Sequence, residues 1–158
     1  MRTLSIFSII SILVLAGCLS FPQNVKEFMD HAGTDQESFT QKPIASVVTK
    51  NSKLFMKCFD ATYTLRPAGY ALGSGTKIVF TPKIFKEDEV VFFTLQKEGG
   101  SLAAGAPENG MYIFSAKVEK ISAEKTKITT SAYYMDENIE TTFHEWSADK
   151  TEECPNLL

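Results

Sequence analysis

Histidine is nearly missing from this chain: His31 and His144 are the only two in 158 residues. Imidazole is the side chain that titrates near neutral pH, so acid–base chemistry here would fall mainly on carboxylates. His144-Glu145 opens like a zinc-protease helix, but Ala148 stands where the second ligand belongs. Gly73-Ser74-Gly75 lacks the outer spacing of a nucleophile elbow, and no Lys-Ser or Lys-Thr pair completes it as a phosphate loop. It reads as a turn. The acidic runs Glu87-Asp88-Glu89 and Glu152-Glu153 read as a charged hairpin turn and a polar tail. Lysines and arginines form no stripe and do not interleave with aromatics, which argues against a nucleic-acid partner. No catalytic residue, metal ligand set or cofactor is assigned from the sequence. No apolar run reaches the ~20 residues that a membrane-spanning helix needs.

What the chain does have is an ordered N-terminus. Met1-Arg2 carries one positive charge, Leu4 to Leu15 is almost wholly apolar, and Ala16 and Gly17 are small. That is the order of a secretory signal. The run closes on Leu15-Ala16-Gly17-Cys18. These four residues resemble the lipobox of bacterial lipoproteins. The resemblance implies cleavage between Gly17 and Cys18, with a diacylglyceryl group on the Cys18 sulfur and acylation of the new N-terminus. Residues 1–17 would be the signal peptide, 18–23 a lipidated tether and 24–158 one globular domain. Two or more acyl chains anchor far more firmly than one, at ~0.8 kcal/mol per buried CH₂. Leu19, where an Asp often marks inner-membrane retention, favours by the same resemblance the periplasmic face of the outer membrane, if the source is Gram-negative. The body carries a net negative charge, so the lipid and not the protein surface would hold it to the bilayer.

With Cys18 taken by lipid, Cys58 and Cys154 remain. An even pair in an exported domain reads as one disulfide. The loop it closes is long enough for chain entropy to contribute up to roughly 4–5 kcal/mol. The rival is a metal site of Cys58, Cys154, His31 and His144, in which no two ligands have a zinc-like short spacing.

Hydrophobic periodicity places the elements. Asn24 to Ala32 suits a short helix with Asn24 as cap and Glu27 at the capping-box position. Glu37 to Gln41 reads as a first strand with Phe39 inward. Pro43 to Phe59 has Ile44, Val47, Val48, Leu54, Phe55 and Cys58 at helical spacing. Strands follow at 61–67, 77–85, 89–96, 111–119 and 126–135, with a mobile loop expected over 98–110. Pro82 marks an edge or bulge. Tyr112, Phe114, Ala116 and Val118 should share one face, as should Ile128, Thr130, Ala132 and Tyr134. Asp136 to Ala148 closes the fold as a helix capped by Asp136, with Ile139, Phe143 and Trp146 in one stripe and His144 on its rim. The expected class is α+β: a two-layer antiparallel sheet of five to six strands packed by two main helices on one face. The order resembles helix-grip and TBP-like folds, including those in the lipoprotein subunit of the outer-membrane protein assembly machine. The Trp-containing last helix followed by Cys154-Pro155 also resembles small proteobacterial lipoproteins. Neither likeness carries an activity.

Val90 to Leu95 is apolar on both faces, so something must cover its second face. Phe92 and Phe93 are therefore candidates for an apolar groove. Three functions follow. The first is a non-enzymatic envelope lipoprotein that binds or scaffolds an envelope protein partner. The second is a carrier or sensor of an apolar ligand. The third is a hydrolase, which would need two facing carboxylates or a buried serine beside His144.

Overall fold

The computed structural model describes residues 21–65, 75–99, 107, 110–133 and 136–157. The elements run α1 (Val25–His31), β1 (Thr34–Thr40), α2 (Ile44–Phe59), β2 (Ala61–Leu65), β3 (Thr76–Glu87), β4 (Val90–Glu98), β5 (Met111–Ser122), β6 (Lys125–Ala132) and α3 (Glu137–Ser147). One antiparallel sheet has the strand order β1-β6-β5-β4-β3-β2. The fold is thus α+β, with both long helices on one face of six strands, in agreement with the expected architecture. The first strand sits beside the last, so β1 is an edge although it opens the domain.

The core lies between the sheet and the two long helices. Phe55 of α2 stands at its centre, with Phe59, Phe93, Phe114 and Phe143 around it at ring separations of 4.9 to 6.2 Å. Trp146 of α3 is fully buried beside Phe59 and Phe143. These rings fill the interior that a ligand carrier would need open, and apolar burial of this kind supplies most of the driving force for the fold.

Several side chains stand elsewhere than periodicity places them. Phe39 is 56% exposed on the sheet face away from the helices, and the Lys125 ammonium lies 4.9 Å from its ring centroid. The strand starts three residues earlier than expected, at Thr34, and its neighbour β6 pairs Phe39 with Lys127. Tyr112 also leaves the core. The ladder between β4 and β5 shifts at Leu95/Gln96, so Ile113 and Phe114 both join the core cluster while Tyr112 pairs with Gln96 on the opposite face. A single extra residue in one strand reverses everything beyond it. Tyr134 lies outside the described residues. Asp136 occupies the N-cap of α3 but makes no side-chain cap bond; burial holds its carboxyl above the ordinary range, partly offset by Lys97.

The helix-free face has its own small cover. Phe28 of α1 is fully buried against Tyr112 and Tyr133, with ring separations of 5.9 and 5.4 Å. Asn24 caps that helix through its side-chain oxygen, which accepts from Glu27 N at 2.9 Å. Pro22 is already buried, so packed chain begins before Asn24, inside the expected tether. Pro82 obeys its constraint in a specific way. The β2 partner ends at Ala61 opposite Phe80, so beyond Thr81 the strand has β4 alone as neighbour, and a missing N–H costs nothing on the open side. The Gly73-Ser74-Gly75 turn and the 98–110 loop fall largely outside the described residues.

Candidate functional site

The cysteine pair is brought together. Cys58 ends α2, Cys154 lies past α3, and their sulfurs are bonded with Cα atoms 5.3 Å apart. The tail is strapped back around this bond. Trp146 Nε1 donates to the Glu153 carbonyl at 2.9 Å. Asn51 of α2 donates to Ser147 Oγ at 2.7 Å. Asp149 pairs with both Lys42 and Lys50, whose ammonium groups hold its carboxyl down to about 2. Gly17 and Cys18, the residues of the expected cleavage and acylation site, lie outside the described residues.

Phe92 and Phe93 do not line one groove. Adjacent residues of a strand point to opposite faces. Phe93 is fully buried against Phe55 and Phe143, whereas Phe92 stacks on its cross-strand partner Phe85 at 5.3 Å on the other side of the sheet. The two-faced strand therefore uses its apolar residues twice, once in the core and once in a half-exposed ring pair.

The most developed polar site in the described structure is one that periodicity does not reveal. A cleft of about 340 Å³ runs between edge strand β1 and α3. Gln36, Ser38 and Thr40 supply one wall, and Thr141, His144 and Glu145 the other. His144 is half-buried, not a rim residue, and both ring nitrogens are engaged: Nδ1 lies 2.6 Å from Ser38 Oγ and Nε2 lies 2.9 Å from Thr130 Oγ1. Burial lowers its pKa and so favours the neutral ring.

One helical turn earlier on α3, Glu140 is fully buried. Thr34 Oγ1 lies 2.6 Å from Glu140 Oε2 and 3.0 Å from the Ala132 carbonyl. A hydroxyl has one hydrogen, and a carbonyl can only accept. Thr34 therefore donates to Glu140 or to Ala132 but not fully to both, unless the Glu140 carboxyl is protonated and itself donates to Thr34. Burial, the largest influence on Glu140, raises its pKa and favours that neutral acid; the nearby Thr34 and Thr130 hydroxyls oppose it, and the Asp35 charge adds to it. Oε1 has no hydrogen-bond partner of ordinary geometry. The line Ser38, His144, Thr130, Glu140, Thr34 thus ties α3 to the two neighbouring strands.

Ser38 beside His144 has the first two members of a nucleophile–base pair. The third is different: His144 Nε2 meets a threonine hydroxyl, not a carboxylate, and burial raises the pKa of the nearby Glu140. Two signals for this site were present in the sequence. Glu140 and His144 stand at i, i+4, the spacing of one helix face, and Glu140 adjoins Ile139 in the apolar stripe. Among the described residues no group of three or more Cys, His, Asp or Glu could hold a metal. A second hollow of about 230 Å³ has an apolar floor of Ile44, Val48 and Val91 rimmed by Lys86, Glu89 and Lys120.

No family profile and no curated protein matches the sequence. Among solved structures, the chain is similar to a conserved protein from Geobacillus kaustophilus, at 12% identity and a TM-score of 0.35 over 75% of this chain and 91% of that one. It is similar to a hypothetical protein from Helicobacter pylori at 10% identity and a TM-score of 0.37 over 84% and 95%. A third likeness is to an uncharacterized protein from Rhizobium leguminosarum, at 12% identity and a TM-score of 0.33 over 75% and 90%. Similarity at this level carries no functional argument.

Proposed function

We propose that this protein is a lipid-anchored envelope lipoprotein whose domain binds another envelope protein and performs no chemistry of its own. The observation that carries the reading is Leu15-Ala16-Gly17-Cys18 at the end of a short apolar run. The bonded Cys58–Cys154 pair supports it, because it leaves Cys18 as the one cysteine outside that disulfide and suits an oxidising compartment. Pro22 is already buried, four residues after Cys18, so the folded body would sit close to the bilayer, at the periplasmic face of the outer membrane in a Gram-negative cell. The test is a mass measurement on the membrane fraction of the native host. The mature chain should begin at acylated Cys18, and Cys18→Ala should move the protein out of that fraction. An unmodified Cys18 in a processed chain would sink the anchor. In-cell crosslinking tests the binding role, and a domain that captures no envelope protein refutes it.

The Ser38–His144 contact favours one second reading, a serine hydrolase. A fluorophosphonate probe separates the two: the leading reading expects no adduct on Ser38. The carrier reading has less behind it, since Phe93 is locked in the packed core.

A further inference from the structure

From the free edge of β1 and the cleft beside it we infer that the domain takes up an extended, lysine-bearing segment of its partner as a seventh strand. This deepens the binding reading above and rests on it.

Strand β1 pairs with β6 on one side, and among the described residues nothing pairs with its other side. An open strand edge presents a row of unpaired N–H and C=O groups, a ready template for an added strand. The cleft with α3 runs along this edge, so side chains of an added strand would point alternately into the cleft and onto the helix-free face. The cleft walls offer the hydroxyls and amide of Gln36, Ser38, Thr40 and Thr141, with the Glu145 carboxylate and the Lys150 ammonium also among its lining, so the acids that would meet a lysine lie mainly on the helix-free face. On the helix-free face β1 presents Asp35, Glu37 and Phe39.

The sheet already displays the kind of strand that β1 accepts. Its partner β6 reads Lys-Thr-Lys-Ile-Thr-Thr-Ser-Ala. Lys127 pairs with Glu37, Ser131 donates to Asp35 Oδ1 at 2.5 Å, and Lys125 covers Phe39. Each carboxylate uses one oxygen toward β6, and the Glu37 side chain remains 52% exposed. Charge also argues against a second copy of this chain. Neither β1 nor α3 carries a lysine or arginine, while their acids that are not buried are Asp35, Glu37, Glu137 and Glu145. Two β1 edges brought together would set acids against acids, and like charges across strands repel.

The probe is a fluorescent peptide of the β6 sequence, Lys-Thr-Lys-Ile-Thr-Thr-Ser-Ala, titrated against the full-length protein in non-ionic detergent. The same peptide with both lysines replaced by glutamate serves as control. The lysine peptide should bind at least about tenfold more tightly than the control, weaken with salt, and slow hydrogen exchange at β1 amides that exchange freely without it. Glu37→Lys should lose most of the preference, and Glu145→Lys, which leaves the β1–β6 ladder intact, should weaken binding about threefold. Equal binding of the two peptides, no binding of either, or protection that appears outside β1 would overturn the inference. A dimer that the peptide dissolves would also overturn it, in favour of a second copy as occupant. Capture of an envelope protein in cells with none of these peptide effects would leave the binding role standing and remove this site.

Discussion

Glu140 and His144 are four residues apart and have opposite electrostatic burdens. Burial raises the Glu140 pKa above the ordinary 4.5, so its contribution is complete below that value and declines as pH climbs through the folded pKa. Burial lowers the His144 pKa from 6.5, so its contribution is complete above 6.5 and declines as pH falls through the folded pKa. The two slopes oppose each other across mildly acidic pH. Removing one should expose the other. Denaturant melts between pH 4.5 and 7.5 should show Glu140→Gln gaining stability with rising pH relative to the parent, and His144→Gln losing it. Curves parallel to the parent would mean that neither group is forced neutral. The pair Phe92 and Phe93 gives a second test at this scale. Phe93→Ala opens a cavity among packed rings and should cost ~3–5 kcal/mol. Phe92→Ala loses one half-exposed stacking partner, worth ~0.5–1.5 kcal/mol beyond its area. Equal losses in urea titrations would contradict the two-faced placement.

Among the elements, α2 and α3 share the core and are also tied by chain. The Cys58–Cys154 bond closes a separation of 96 residues that takes in every strand but β1. In the chain-entropy view a loop of that length contributes up to ~4–5 kcal/mol, a large part of the stability of a domain this size. Thermal melts with and without reductant should show a drop of well over ten degrees, matched by Cys58→Ser/Cys154→Ser. A shift of only a few degrees would mean that the aromatic core and the Trp146–Glu153 strap suffice without the bond. The segment between β4 and β5 returns through Gly110, whose φ is +91°; a Cβ there would come within 2.2 Å of the Lys97 carbonyl. Its own carbonyl accepts from the buried Gln96 amide at 3.0 Å. Gly110→Ala should therefore cost at least ~1–3 kcal/mol, measurable in the same melts; an unchanged midpoint would show that the ladder can shift to make room.

At the scale of the whole molecule, the proposed lipid anchor at Cys18 and the folded body should be separable. Among the described residues every large buried hydrophobic side chain lies at or after Phe28. Cys18→Ala should accordingly change where the protein partitions and leave its melting temperature within about a degree of the parent. A large fall in melting temperature would mean that the acylated end is part of the fold. The helix-free face carries α1, whereas the β1–α3 cleft lies beside the edge strand of the sheet.

The sequence by itself determined the element types, the two-layer class, the long helix from Pro43 and the pairing of Cys58 with Cys154. Apolar spacing over sixteen residues and the arithmetic of two remaining thiols do not depend on what packs around them. Only the tertiary structure decided which residues face inward where the register slips, because the shift at Leu95/Gln96 that turns Tyr112 outward is set by a neighbouring strand and not by its own neighbours in sequence. It also assembled the site. Ser38 and His144 are separated by 106 residues, and a hydroxyl on an edge strand becomes a partner for a helical imidazole only when β1 folds back beside β6. Contacts made across that distance reflect the path of the chain in space, which no local pattern encodes.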